Sequence, residues 1–374
     1  MMNEEIKSFA DLIKEVQAPG LCGACGGCVS FCSAGELNAL RFGSDGFPEF
    51  ADEDRCLKCG ICYLVCPQVK VLDHELGQRF GWEGPSGPYR SIRSARTTDS
   101  EIMAVATDGG VVTALLLWAL ENGIIDGALV SRRTGPFSRQ PALATTREEL
   151  IEAAGSHFGE TAHLGEMGSV YTSFVPTIRE IGKLRRGKLK KVALVGTPCQ
   201  IYSLRKMQLL RVVPSDAVRL VIGLFCMESF AFTEETRSHL KENLGVSLDD
   251  VIKLNIKDDV ILTKNTGEEV HAPFEVVDEI ARPACMACPD FASDFADISC
   301  GGLGSPAGFT TVVIRTAEGE KLYSNTRRCD FIEELSFPDE EEATVHRTTA
   351  VAKITSFSRL KRARAEQRLG AINA

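Results

Sequence analysis

Cys22, Cys25, Cys28 and Cys32 follow the spacing C-x2-C-x2-C-x3-C, and Cys56, Cys59, Cys62 and Cys66 repeat it, with Pro67 closing the second run. Paired runs of this kind hold two [4Fe-4S] clusters, the fourth cysteine of each run crossing to the other cluster and tying the halves into one unit. The expected ligand sets are therefore Cys22, Cys25, Cys28 and Cys66 for one cluster, and Cys56, Cys59, Cys62 and Cys32 for the other. Gly23, Gly26, Gly27 and Gly60 let the backbone turn tightly around inorganic sulfur and offer it their amides. Structural zinc, the competing chemistry, prefers two C-x2-C pairs to two runs of four with an x3 gap. Ser33 stands after Cys32 where proline is usual, and residues 33–55 lengthen the insert between the runs. The ligands themselves are intact, and the chemistry they predict is one-electron transfer.

Further along, Cys285 and Cys288 form a C-x2-C pair within RPACMACPDF, half of a four-thiolate site. Cys199 and Cys226 each follow an apolar, β-branched run, VALVG (192–196) and VRLVIGLF (218–225). Strand-end cysteines are commonly ordinary buried thiols. The orphan pair favours a second reading, in which all four make a third cluster site. Cys300 and Cys329 have no partner at ligand spacing and stay outside it. In TDGGVVTALLLWALENG, Asp108, Gly109 and Gly110 precede an apolar helix whose free amides suit a pyrophosphate. A capped core helix explains the same residues, and on this segment alone explains them better. The segment Gly168-Ser169-Val170-Tyr171-Thr172-Ser173 offers hydroxyls at the start of a later helix.

These residues need elements to hold them. At 374 residues the chain is long enough for two or three domains. Residues 68–90, including GWEGPSGPYR, read as a linker wrapping onto the next domain, which puts a boundary near 85. Beyond it, apolar runs alternate with helical patterns: helix 109–122, strand 124–131, helix 173–184, strand 191–196, helix 199–207 and strand 218–225. That alternation predicts an α/β domain, with Cys199 and Cys226 at the carboxyl edge of a parallel sheet where such sheets bind ligands. The expected organisation is an α+β bacterial-type ferredoxin domain over 1–84, the α/β domain over 85–335 and an extension over 336–374.

Composition narrows the function classes. A net charge of −9 argues against a nucleic-acid partner. Fourteen cysteines without a basic, apolar leader fit metal binding in the cytoplasm rather than disulfides. The longest apolar run, Val111 to Leu120, is too short to span a bilayer. Near the end, Lys353, Arg359, Lys361, Arg362, Arg364 and Arg368 surround Ile354, Phe357 and Leu360, which reads as a docking helix or, equally, a solvated tail.

Four long motifs occur in order: GTPCQ (196–200), IGLFCMESF (222–230), CMACPDFASDFADIS (285–299) and GGLGSPAGFTTVVIRTAEGEK (301–321). From about Cys22 to Lys321 the chain resembles the coenzyme F420 hydrogenase and dehydrogenase beta subunits. It is most similar to the ferredoxin-bearing input subunit of the membrane-bound F420 dehydrogenase. The resemblance implies that the α/β domain binds FAD beside a third [4Fe-4S] cluster. It carries the ligand role over to Cys199, Cys226, Cys285 and Cys288. It likewise carries FAD contacts over to Asp108, Gly109, Gly110 and Thr113 and to Gly168, Ser169, Tyr171 and Thr172. The family often has lysine where Val170 stands, and GSHFGETAHLGEM (155–167) lengthens the loop before that motif.

The activity so implied is oxidation of reduced coenzyme F420. Hydride passes to FAD, and single electrons leave through three clusters to a partner complex, such as a membrane dehydrogenase or a heterodisulfide reductase. No side-chain acid or base is obligatory in that reaction. Two alternatives share these features: a ferredoxin-dependent reductase of an organic substrate such as a chlorophyll-type pigment, and a non-catalytic electron-transfer adaptor.

Overall fold

The buried, β-branched runs of the sequence assemble into an eight-stranded mixed sheet in the computed structural model, which describes residues 6–34, 37–135, 138–155, 171–172, 177–184, 189–232, 234–256 and 258–373. Its strands are β1 (Ser91–Thr97), β2 (Gly127–Gly135), β3 (Ser138–Ala144), β4 (Val192–Gly196), β5 (Val218–Leu224), β6 (Ile298–Gly301), β7 (Thr310–Ile314) and β8 (Ile332–Glu334). Across the sheet they run β8-β1-β7-β6-β5-β4-β2-β3. The centre, β2, β4, β5 and β6, is parallel, and every other neighbouring pair is antiparallel. Val192, Ala193, Leu194, Val221 and Ile222 are fully buried, as a two-sided parallel core requires.

Most expected elements are present with small changes of boundary. The helix expected over 109–122 spans Val111–Glu121, and that over 199–207 spans Pro198–Leu209. The strand expected over 124–131 begins later, at Gly127, and runs to Gly135. Of the helix expected over 173–184, residues 173–176 lie outside the described residues. The remainder is a 3-10 turn, Thr177–Glu180, followed by Ile181–Leu184.

Two expectations need correction. The stretch 68–90 is not simply a linker, because it holds the helix Asp73–Phe80, with acidic residues in its first turn and Gly81 at φ +61° ending it. Leu76 on that helix is fully buried, in one apolar cluster with Val65, Leu194, Ile201 and Leu204, so the stretch does wrap onto the α/β domain, but as a helix. The C-terminal extension is neither frayed nor turned outward. It forms the long helix Glu340–Asn373, whose basic residues bond to its own chain: Lys361 to the Cys226 and Asp290 carbonyls, Arg362 to Asp294, and Arg364 to Glu228. Ile354 is buried and Phe357 stacks on Phe291, while Leu360 is exposed. Leu369 and Ile372 reach the N-terminal core of Phe9, Leu12, Val16 and Phe42.

The N-terminal module repeats one backbone shape. Ala24 and Gly26 have φ of +50° and +84°, and the matching Lys58 and Gly60 have +52° and +77°, so each loop twists to the left on both sides of its second cysteine. The helix Gly27–Ala34 then meets the 198–209 helix so closely that a Cβ on Gly27 would lie 2.1 Å from Ser203 Oγ. A separate antiparallel meander, Val251–Ile256, Val260–Lys264 and Glu269–Ala272, has its own apolar cluster with Phe230, Leu240 and Val277. Its two ends close on each other, Phe230 pairing with Ala281 and the Arg282 amide donating to the Ser229 carbonyl at 2.9 Å. That closure brings the loop after β5 back to the C-x2-C pair.

Candidate metal centres and ligand cavity

Four thiols converge from the two N-terminal loops: Cys22, Cys25, Cys28 and Cys66 lie near enough to raise one another's pKa. A second set joins Cys32, Cys56, Cys59 and Cys62 in the same way. Cys66 thus groups with the thiols of the first run and Cys32 with those of the second. Burial above all pushes these thiols up, Cys22 to about 11 and Cys25 and Cys62 to about 12. Amides oppose it: those of Ala24 and Gly27 donate to the Cys22 and Cys25 sulfurs, and those of Ala39 and Leu40 to the Cys32 sulfur. Buried thiols that favour the neutral form when bare, yet are met by amide donors, fit thiolates whose charge a bound iron-sulfur group balances. The second set also encloses a void of about 20 Å³ lined by all four of its sulfur residues. Among the described residues no group of three His, Cys, Asp or Glu is arranged to hold a single metal ion.

The third set forms as well. β4 and β5 are parallel neighbours, so Cys199, at the start of the 198–209 helix, and Cys226, just after β5, reach the same edge. The closed meander delivers Cys285 and Cys288. Cys199 feels Cys285 and Cys288, and Cys226 feels Cys199, Cys285 and Cys288. Thr197 Oγ1 lies 3.4 Å from the Cys199 sulfur, and the Ser229 amide donates to the Cys285 sulfur at 3.4 Å. The three sets also influence one another electrostatically in series. Cys199 feels Cys25, and Cys28 feels Cys62, which links the third set to the first and the first to the second. In the second set Cys59 is exposed.

Beside the third set, a cavity of about 350 Å³ opens at the carboxyl edge of the sheet, within the size range of small-molecule sites, roughly 300–1,000 Å³. Asp108, Gly110 and Thr113 line it, as do Thr197, Gln200, Ser229, Gly302 and Thr310. Cys226 forms part of its wall. Gln200 holds the entrance of the GTPCQ turn: buried, it accepts from Thr177 Oγ1 at 2.9 Å and from the Ile178 amide at 3.0 Å. Gly110 at φ +69° precedes the 111–121 helix, whose first-turn residues Val111, Val112 and Thr113 line the cavity.

Gly109 departs from expectation. Its amide donates to Thr310 Oγ1 at 2.9 Å, and a Cβ there would lie 2.5 Å from the Ala95 carbonyl oxygen, so it is a glycine for packing against the sheet, and it does not line the cavity. Gly168 and Ser169 lie outside the described residues. Tyr171 and Thr172 are seen as a short strand paired with Ala231–Phe232. Cys300, set aside by spacing, lines the cavity floor, and Cys329 is exposed. Gln200 and Thr310 fall within two of the quoted motifs, but their place at the cavity, like that of Cys300, depends on neighbouring strands that spacing does not reveal.

Residues 92–167 and 189–340 match the N-terminal and C-terminal family models of "Coenzyme F420 hydrogenase/dehydrogenase, beta subunit". Residues 50–69 match a 4Fe-4S binding domain, a segment that covers the second cysteine run and leaves the first outside it. The beta subunit of coenzyme F420 hydrogenase of Methanosarcina barkeri is 35% identical over 244 residues, covering 64% of this chain and 79% of that one. One of the subunits of the F(420)H(2) dehydrogenase of Methanosarcina mazei is 29% identical over 326 residues, 84% of this chain and 85% of that one. A chain of the xenon-derivatised F420-reducing [NiFe] hydrogenase complex from Methanosarcina barkeri superposes with a TM-score of 0.60 at 30% identity, covering 75% of this chain and 93% of that chain.

Proposed function

Because this chain belongs to the family of coenzyme F420 hydrogenase/dehydrogenase beta subunits, we propose that it exchanges hydride with coenzyme F420 at the cavity and passes single electrons through three [4Fe-4S] clusters to a partner protein. The direction proposed is oxidation of the reduced coenzyme. One observation carries the reading: Cys226 belongs at once to the cavity wall and to the third thiol set, which is in series with the other two. A ligand in the cavity therefore abuts the start of a line of thiol sites that ends at exposed Cys59.

FAD in this cavity would supply the conversion between a two-electron hydride and the single electrons that clusters accept. The chain's own residues bind and orient. The first turn of the 111–121 helix, with Thr113, suits a phosphate. Asp108, which lies against Gly302 at the rim, suits a ribose or amide donor. Gln200 and Thr177 fix the turn that carries Cys199. Met227 and Phe230, both buried on the loop beyond Cys226, keep water from the wall between cavity and third site. Cys22, Cys25, Cys28 and Cys66, then Cys32, Cys56, Cys59 and Cys62, then Cys199, Cys226, Cys285 and Cys288 would hold the iron. The Methanosarcina mazei relative, which this chain matches over most of both lengths, is one of the subunits of a dehydrogenase. By that likeness we propose that this chain works as the input subunit of a larger assembly, with the partner outside the chain.

The test is anaerobic purification followed by assay. About twelve iron atoms per chain, four for each cluster, bound FAD, and restoration of deazaflavin absorbance from reduced coenzyme F420 with an artificial one-electron acceptor are the expected results. Full iron with no flavin and no turnover would overturn the reading in favour of an adaptor.

A further inference from the structure

Two lysines are buried where no catalytic step uses them. Lys206 is 0% and Lys361 1% exposed. Lys206 lies on the 198–209 helix and donates to the Cys66 carbonyl at 3.0 Å and to the Val69 carbonyl, with Asp73 Oδ1 at 3.3 Å. Lys361 lies on the C-terminal helix and donates to the Cys226 carbonyl at 2.5 Å and to the Asp290 carbonyl at 2.8 Å. Each thus reaches, from a different element, the carbonyl of one cysteine in one thiol set: Cys66 of the first, Cys226 of the third.

Burying an ammonium is costly unless anions and acceptors surround it. An amide side chain would satisfy a carbonyl at less cost, so bonding alone does not account for a lysine at either place. What a lysine adds is charge. At Lys206 the charge has a counter-ion: the Asp73 carboxylate stands 3.3 Å from the ammonium, beside the two carbonyls to which the lysine donates. Lys361 is held by its two carbonyl bonds between Cys226 and the segment just after Cys288, so its ammonium sits at the third set.

We propose that Lys206 and Lys361 are fixed buried cations, one for each of the two inner clusters, that hold those clusters at a higher reduction potential than a neutral side chain would. A nearby positive charge stabilises the more negative, reduced cluster, and in a buried site it is little screened. The two devices are also mechanically linked. Cys199 and Lys206 share one helix, about 10 Å apart along its axis at 1.5 Å per residue, so a ligand of the third cluster and the cation of the next are held by the same rigid element. The proposal rests on the three-cluster reading above.

EPR-monitored redox titration of the full, iron-loaded protein tests it, with the third signal assigned by its loss in Cys199→Ser. Lys361→Gln is expected to lower the potential of the third cluster alone, and Lys206→Gln that of the Cys22 cluster alone. Lys361→Arg and Lys206→Arg should stay near the unsubstituted values. Unchanged potentials in fully loaded glutamine variants would overturn the proposal, as would equal shifts in glutamine and arginine variants. A cluster lost from the glutamine variant but kept at normal potential in the arginine variant would support it. Loss from both would overturn it, since the lysine would then build the site rather than tune it. An unsubstituted protein with about eight irons and no third signal defeats the three-cluster reading instead.

Discussion

At Gly109, a Cβ would sit 2.5 Å from the Ala95 carbonyl oxygen and 2.7 Å from the Thr310 amide nitrogen, so the residue serves the sheet, whereas its neighbours Asp108 and Gly110 serve the cavity. The two roles separate by experiment. Gly109→Ala is expected to destabilise the protein by about 1–3 kcal/mol, read by denaturation, because backbone atoms cannot give way as a flexible side chain does. Asp108→Ala is expected to weaken FAD binding about tenfold, as loss of one charge-assisted bond does, with little change in stability. The sequence alone did not divide this motif, since both a phosphate and a β-strand ask for glycine. The cysteines were more legible: the N-terminal thiols are placed by spacing within short loops, and the structure groups Cys66 with the first run and Cys32 with the second. Cys199→Ser is expected to lower iron from about twelve to about eight atoms per chain, the ferredoxin clusters keeping theirs. An iron content that stays near twelve would remove Cys199 from the ligands.

The 198–209 helix carries three functions along one rod: Cys199 at its start, Ser203 against the ferredoxin helix, and Lys206 at Cys66. Its existence was legible from the strand before it and its own apolar spacing, but its partners were not, because Lys206 meets residues some 140 positions away. The same holds for the C-terminal helix, whose basic stripe resembles a docking face for another protein until Lys361, Arg362 and Arg364 are seen bonded to this chain. The helix 73–80 was hidden by the glycine and proline that follow it. Gly27→Ala tests the contact between rods. A methyl group 2.1 Å from Ser203 Oγ must push the ferredoxin module off the helix or turn the serine. The expected outcome is slower reduction of the ferredoxin clusters from the third, in rapid mixing, with iron content unchanged. Gly27→Ala with Ser203→Ala, which removes the hydroxyl, should restore much of the rate.

Across the whole molecule the thiol sets couple in sequence, from the one whose Cys226 lines the cavity at the sheet edge to the one that reaches a surface loop. There Cys59 is exposed, Leu57 and Ile6 are 69% and 67% exposed, and Asp52, Glu53 and Asp54 lie open to solvent. The three acids outnumber exposed Arg55 and Lys58 beside them, and an apolar centre with a net acidic flank suits a basic redox partner. Reversing these three acids to lysine is expected to slow reduction of a basic one-electron acceptor protein by about tenfold at low salt, by loss of electrostatic steering, and the difference should shrink as salt rises. Among the described residues no helix is long and apolar enough to cross a membrane. The central claim is that hydride chemistry at the cavity feeds these coupled sets, and it is tested most directly by mixing reduced coenzyme F420 anaerobically with the loaded protein and following deazaflavin absorbance and cluster EPR together. The account predicts that absorbance returns as cluster signals appear, the third before the ferredoxin pair. Absorbance that returns while every cluster stays oxidised, or does not return at all, would contradict it.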